Sequence, residues 1–449
     1  MPMNALEFTW SDHLEGGARA DRRGPVALAA RLAILAAIPL ACLWWPIGTI
    51  PAAGRVTMSD AVLFTLWVLS AWEVLLRAGS GVGSRPIALV LLVVAIGALA
   101  GIGAAVTASR THGTFEFALF MKRFGLAGIL PLAAHLFRAQ WMASGVRIVT
   151  AAAIAAQTLF TLHPSLQAHL VRPENYEDVF LGRATGLLTN PNDLAYSVVS
   201  LAILHGAATP WPARARDRAL LLLVLAGAGI CLVSAASRSG LLGSGALLLF
   251  LVLVSRMRFW TKGALVAAAV LTVAVGFAST SVFEQRVSRA YREGRSEENV
   301  SSRLGMQWIA LRAFVDHPLG VGYTGLEDAG SSVSRKYDLK GSDSVYFDTL
   351  LGAGVLGLLG LLWLFWTAWK HVAGEARGDP RSRILQAGIL AYLVFGTAAV
   401  VPIAVSSAPL FFAIVASASL LSCRVPTGRH PPASRADDDP AVAGAASRA

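Results

Sequence analysis

Charge is scarce in this chain. Only 14% of its 449 residues are Asp, Glu, Lys or Arg, against roughly a quarter in ordinary globular domains. A water-facing surface of this size cannot be covered by so few charges, which excludes a soluble globule. Acidic residues are scarcer still, 27 against 38 basic ones, for a formal charge of +11. Cysteine is nearly missing: Cys42, Cys231 and Cys423 each fall inside a hydrophobic run. That excludes a disulfide framework or zinc spacing and predicts buried apolar thiols. No internal repeat is visible. A cleavable leader is not expected either, because Glu7, Asp12 and Glu15 mix with Arg19, Arg22 and Arg23 where a short apolar stretch and small-residue cleavage site belong. The first hydrophobic run is therefore expected to be a retained signal-anchor.

What the chain has in quantity is apolar sequence, 55% of residues. It is arranged in about a dozen runs near the roughly 20 residues that a membrane helix needs. The expected fold is an all-α polytopic membrane protein of about twelve transmembrane helices. The spans read Ala29–Gly48, Ser59–Leu76, Ile87–Ser109, Ala118–Phe137, Ile148–Leu166 and Ala184–Gly206. Ala219–Ala236, Gly240–Ser255, Gly263–Thr280, Tyr346–Trp369, Ile384–Ser406 and Pro409–Cys423 follow. The fourth span is interrupted by Lys122 and Arg123, which either snorkel to headgroups or mark a short helix that starts late.

An even number of spans places both termini on one side, and the basic loops set which side that is. Arg77 and Arg85, Arg138 and Arg147, Arg214, Arg216 and Arg218, Arg256, Arg258 and Lys262, and Lys370, Arg377, Arg381 and Arg383 all fall in loops of one set. These loops are expected to be cytoplasmic. The organisation is then a cytoplasmic segment 1–28, helices one to nine over 29–280, a large outer loop 281–345, helices ten to twelve over 346–423, and a disordered tail 424–449. The tail carries Pro431, Pro432 and the acidic run Asp437–Asp439. Basic residues spread over short loops form no folded basic face, which argues against nucleic acid as a partner.

The outer loop is too long to be a plain connection. Ser301 and Ser302 are expected to cap a helix on which Leu304, Trp308, Leu311 and Val315 recur at helical spacing. That stripe suits the membrane interface, or a short helix packed on the bundle mouth. His317-Pro318 ends it, and Gly320 and Gly322 turn the chain back.

Positive-inside topology does not account for the basic residues on the outer side. Arg286, Arg289, Arg292 and Arg295 share a helical face, and Glu284, Glu293, Glu297 and Glu298 can compensate them locally. Arg183, Arg238 and Arg303 each flank an apolar segment at a predicted boundary. A guanidinium there either anchors to lipid headgroups or grips a phosphate through bidentate, charge-assisted hydrogen bonds. Three such guanidinium groups converging would favour a pyrophosphate. Asp343 can serve as a general base or can cap the tenth helix, since Ser342-Asp343-Ser344 is good capping chemistry. The outer side shows no convincing Asp-x-Asp pair, so no metal and no cofactor is expected. Gly354, Gly357 and Gly360 read as close helix packing.

Several of these elements resemble one family. Arg183-Ala-Thr-Gly-Leu187 followed by Asn190-Pro191-Asn192, then Ser237-Arg238-Ser239-Gly240, then Arg303 with Trp308 and Asp316-His-Pro-Leu-Gly-Val-Gly322, and last Asp343-Ser-Val-Tyr346 with Gly354 and Gly357, run in order. They are similar to the motifs of the O-antigen ligase and O-antigen polymerase superfamily of bacterial membrane glycosyltransferases. The resemblance implies a GT-C-like bundle in the bacterial inner membrane with its active site facing the periplasm. It implies a donor glycan on undecaprenyl pyrophosphate and an acceptor that is either another glycan or lipid A core, with membrane lipids and a possible chain-length regulator as partners. It carries Arg183, Arg238 and Arg303 over as pyrophosphate contacts, and points to Arg286, Arg289, Asn192, His317 and Tyr346 as further substrate contacts. Asp343 stands where the ligases carry histidine, which favours a polymerase; a ligase is the alternative. A transporter or lipid flippase is the alternative of another class, disfavoured by the missing repeat and by few mid-span ionisable residues, Glu73 chief among them.

Overall fold

The computed structural model describes residues 24–43, 46–50, 54–76, 84–163, 165–166, 183–210, 214–255, 260, 262–263, 267, 295–323, 344–375, 379–397 and 407–421. Nearly all of the ninth predicted span, Arg286, Arg289, Asp343 and the tail lie outside them. Among the described residues the chain is overwhelmingly helical, with one two-stranded hairpin. The elements are α1 (Pro25–Leu40), β1 (Pro46–Ile50), β2 (Gly54–Thr57), α2 (Met58–Leu76), α3 (Ser84–Thr107), α4 (Arg110–Phe120), α5 (Leu130–Phe137) and α6 (Met142–Leu162). They continue with α7 (Pro191–Ala208), α8 (Ala215–Ala235), α9 (Arg238–Val254), α10 (Arg295–Asp316), α11 (Val345–Glu375), α12 (Pro380–Phe395) and α13 (Ala408–Leu421).

Two helices form the centre. Every residue of α13 is buried, and nearly all of α7, as expected for segments that are apolar all round. Tyr392, Phe395, Phe411 and Phe412 fill the space between them in a chain of edge and tilted ring contacts. The peripheral helices turn large apolar side chains outward instead, with Trp72, Leu75, Leu223, Trp363 and Trp366 all more than half exposed. In water such a surface would drive aggregation; against lipid it is the matched solvent. Among the described helices, α2, α3, α6, α8 and α11 are long and apolar enough to cross a membrane. The protein is a membrane protein of the expected helical class.

Several boundaries move from where hydropathy put them. The first span is not Ala29–Gly48. It stops at Leu40, one residue past Pro39, and the chain then enters an antiparallel hairpin pairing Gly48 with Val56 and Ile50 with Gly54. At the hairpin's exit Thr57 and Asp60 cap α2 reciprocally. Thr57 N donates to Asp60 Oδ2 at 2.8 Å and Asp60 N to Thr57 Oγ1 at 3.3 Å. The fourth span, read as Ala118–Phe137, is instead α4, a π-helical turn Met121–Gly125, a tight 3₁₀ turn Ala127–Ile129 and α5. The π turn, closed by Leu126 N donating to Met121 O at 2.7 Å, contains both Lys122 and Arg123. Pro131 can donate no backbone hydrogen bond and so keeps the helix from running through uninterrupted.

The remaining corrections have similar local causes. The sixth span begins at Pro191 and not at Ala184, because Asn190 is an N-cap whose side chain accepts from Asn192 N, with proline in the first turn behind it. Helix α10 begins at Arg295, so Ser301 and Ser302 lie inside it and do not cap it. Helix α12 ends at Phe395, well short of Ser406.

Basic loop residues gather at one end of the bundle. Arg147 pairs with Asp217 at 2.6 Å and Arg381 with Asp379 at 2.7 Å. Arg85 and Arg383 reach the carbonyls of Lys370 and Val254. The candidate site lies at the other end.

Candidate active site

Arg183 opens an irregular, largely buried segment that ends at the Asn190 cap. Its backbone is pinned by Ala184 N donating to Ser234 O at 3.0 Å. Its side chain donates through Nε to Ala235 O at 3.0 Å and through Nη2 to Asn192 Oδ1 at 3.2 Å. Two of the expected substrate contacts, Arg183 and Asn192, are therefore direct neighbours. Gln157, fully buried on α6, holds the segment from beneath: its Oε1 accepts from Leu187 N and its Nε2 donates to Cys42 O, both at 2.8 Å. That glutamine carries no motif, and only the fold reveals its role.

The same corner holds the turn around Arg238. Helix α8 ends at Ala235, Ala236 caps it in a left-handed conformation (φ 47°), and Ser237 caps α9 by accepting from Gly240 N. Arg238 is the first residue of α9. The carbonyl that receives Arg183 lies three residues before it in sequence. Ser239 Oγ is shared with Ser237 and with Tyr196 OH of α7. The Tyr196 ring lies tilted against Phe395 with centroids 4.9 Å apart, so the corner is continuous with the C-terminal end of α12.

That end of α12 anchors the start of α11. Val345 N and Ser344 Oγ both donate to Gly396 O, at 3.0 and 3.1 Å, and Tyr346 OH donates to Leu393 O at 2.6 Å. Helix α11 starts at Val345, and the Ser344 carbonyl accepts its first backbone bond, from Asp348 N at 2.9 Å; Asp343 lies outside the described residues. Tyr346, expected to touch substrate, has its hydroxyl proton committed to α12.

Helix α11 is broken. Gly354 takes φ 69° and ψ −171°, a region open essentially to glycine. The carbonyls this break leaves without helical donors are met by the motif turn that follows α10: Val321 N donates to Leu351 O at 2.7 Å and Gly322 N to Gly352 O at 3.0 Å. The turn fits only because glycines face each other. A Cβ on Gly354 would lie 2.6 Å from Pro318 O, and one on Gly320 2.6 Å from Gly352 O. His317 closes the turn through its carbonyl, which accepts from Gly320 N. The expected close packing at Gly354 is present, against a loop and not a helix.

Helix α10 rests on α11 through Ala310 and Ala313, both fully buried, against Val321 and Leu351. Trp308, Leu311 and Val315 remain exposed at 62%, 38% and 71%. The helix thus packs on the bundle mouth while its apolar stripe stays uncovered. Arg303 belongs to α10's N-terminal half.

Sequence reading passed over three residues here. Glu116 of α4, fully buried, accepts from Tyr323 N at 2.6 Å. Tyr323 OH donates to Thr349 Oγ1 at 3.2 Å, and burial pushes its phenol above the ordinary range so that it stays a donor. Asp348 is buried in the first turn of α11. Glu116 sat in a predicted outer connection without a motif, and nothing in the sequence marked it for burial.

Comparison with curated proteins returns no match. Residues 221–362 do match a family model described as O-antigen ligase, a stretch of about a third of the chain. It contains Arg238, Arg303, the break at Gly354 and the turn seated in it, whereas Arg183 and Asn192 lie upstream. Over that stretch the chain is similar to the O-antigen ligase and polymerase superfamily of membrane glycosyltransferases.

Proposed function

We propose that this protein transfers glycan on the periplasmic side of the bacterial inner membrane, from undecaprenyl pyrophosphate to the end of another glycan, as an O-antigen or exopolysaccharide polymerase. The match over residues 221–362 supports a membrane glycan transferase of the ligase and polymerase kind, and Asp343 in place of the ligases' histidine favours the polymerase. It is supported by the gathering of the motif turns at the bundle end opposite the paired basic loops, where positive-inside bias leaves the periplasm. The twelve-span GT-C-like topology belongs to the same proposal.

In the proposed reaction the acceptor hydroxyl oxygen attacks the donor's anomeric carbon with inversion. The Asp343 carboxylate takes the hydroxyl proton as the new glycosidic bond forms. The bond from that carbon to the pyrophosphate oxygen breaks, and undecaprenyl pyrophosphate departs with the electron pair. Arg183, Arg238 and Arg303 stabilise the charge on the leaving group. Planar guanidinium forks match phosphate oxygens bidentately, and three of them supply the charge a divalent ion gives in other transferases. Arg286, Arg289, Asn192 and His317 are proposed to touch the sugars or the phosphates, with chain length set by a separate regulator.

Ligase activity toward lipid A core is the second reading, favoured by the family model's own description and disfavoured by Asp343 standing where ligases carry histidine. The lipopolysaccharide of a deletion strain separates them. A polymerase deletion leaves core bearing one repeat unit. A ligase deletion leaves core bare, with polymer accumulating on lipid. Wild-type banding together with an unchanged yield and length of exopolysaccharide would reject both.

A further inference from the structure

The turn in the break of α11 makes three consecutive backbone donations. Val321 and Gly322 donate to carbonyls of α11, and Tyr323 donates to Glu116 Oε1 at 2.6 Å. The third acceptor is thus a side chain on a different helix, 207 residues away in sequence. It is closely fitted: a Cβ on Gly322 would lie 3.0 Å from Glu116 Cγ. One helical turn on, Phe120 stacks on the Tyr323 ring at 5.5 Å and 24°. On the far side of the turn, Gly103 of α3 lies so close that a Cβ there would meet Leu319 O at 2.7 Å. A fully buried carboxylate is expensive to hold, and this one accepts directly from the backbone of the turn.

We infer that Glu116 is a positioning residue for glycan transfer: its carboxylate seats the Pro318–Tyr323 turn in the break of α11 and so fixes α10 over the bundle mouth. The inference rests on the proposed transfer activity. Glu116 touches no substrate in this scheme. It holds the frame on which Arg303 is carried, and misplacing a charged group by about an ångström is enough to cost roughly 100-fold in rate.

The test uses the full-length protein in lipid nanodiscs and undecaprenyl-pyrophosphate-linked repeat units extracted from the deletion strain. Glu116→Ala removes the acceptor, whereas Glu116→Gln keeps an oxygen that accepts from Tyr323 N. The alanine variant should lose roughly 10- to 100-fold in kcat with KM for donor little changed. The glutamine variant should restore most of that rate and keep the wild-type shape of the pH–rate profile. Amide hydrogen exchange over Leu319–Tyr323 should quicken in the alanine variant and stay protected in the glutamine variant. Wild-type kcat in the alanine variant, unchanged exchange, or a glutamine variant as impaired as alanine each overturns the positioning role. If alanine fails to fold, Glu116→Asp, which withdraws the carboxylate by one methylene, is read by the same two measurements. An inactive wild-type protein with the expected exchange pattern rejects the transfer activity while leaving the seating of the turn intact.

Discussion

Arg183 is where charge and geometry meet most directly at the scale of single residues. Its Nε and Nη2 are already oriented by Ala235 O and Asn192 Oδ1, which holds the guanidinium in one plane. Arg183→Lys keeps the charge and loses the fork. Transfer should fall by about tenfold, the equivalent of one weak charge-assisted hydrogen bond, and further in Arg183→Ala. The measurement is polymer formed per unit of membrane-inserted protein. Wild-type rates in the alanine variants of both Arg183 and Arg303 would remove the pyrophosphate clamp. The chemistry proposed for Asp343 is separable from a capping role because asparagine caps a helix about as well as aspartate. Asp343→Asn should lower transfer by roughly 100-fold with melting temperature unchanged, the range that loss of a general base gives. Near-normal polymer from the asparagine variant would reject the base. Arg183, Asn192 and the Ser237–Gly240 turn were legible in sequence as motifs. Gln157 and Glu116 were not, because each is a lone polar residue whose meaning lies in a partner far along the chain.

The break in α11 dominates the scale of elements. Gly354 was readable as a small residue at a helix contact, yet a glycine in an apolar run says nothing about whether the helix continues through it. The break is tolerated because Val321 N and Gly322 N satisfy the carbonyls it exposes, a requirement for irregular backbone at membrane depth. Gly354→Ala forces a Cβ into the left-handed region and to 2.6 Å from Pro318 O. It should destabilise by about 1–3 kcal/mol, the cost of backbone held in such a region, and reduce transfer as the turn is displaced. Gly229→Ala on α8, where nothing lies within 4 Å of the added carbon, is the control and should be neutral or slightly stabilising. Equal melting temperatures in detergent for the two variants would refute the account of the break. Helix starts were legible where a cap was sought: Asn190 followed by Pro191 marks α7, although hydropathy alone carried that span back to Ala184.

On the scale of the whole molecule, the bundle has two chemically different ends. One carries the basic loops, locked by Arg147–Asp217 and Arg381–Asp379; the other carries the motif turns. In a variant freed of native cysteines, a cysteine at Ser296 or Ser332 should react with a membrane-impermeant thiol reagent in cells whose outer membrane is permeabilised. One at Ala376 should be protected until the inner membrane is broken. The reverse pattern would put every candidate residue in the cytoplasm and end the proposal of a periplasmic site.

Sequence by itself determined the properties that are written along one dimension. Run length and hydropathy specify a helical membrane protein, arginine placement distinguishes its two ends, and the order of short motifs points to a family. Tertiary structure alone decided which groups meet. Arg183 reaches a carbonyl of α8, the turn after α10 enters α11, and Glu116 of α4 receives the backbone of Tyr323. The physical reason is the hydrogen-bond requirement of buried backbone. Every irregular segment at this apolar mouth must find donors and acceptors away from water, and those partners come from whatever the folded chain places within about 3 Å, not from anything nearby in sequence.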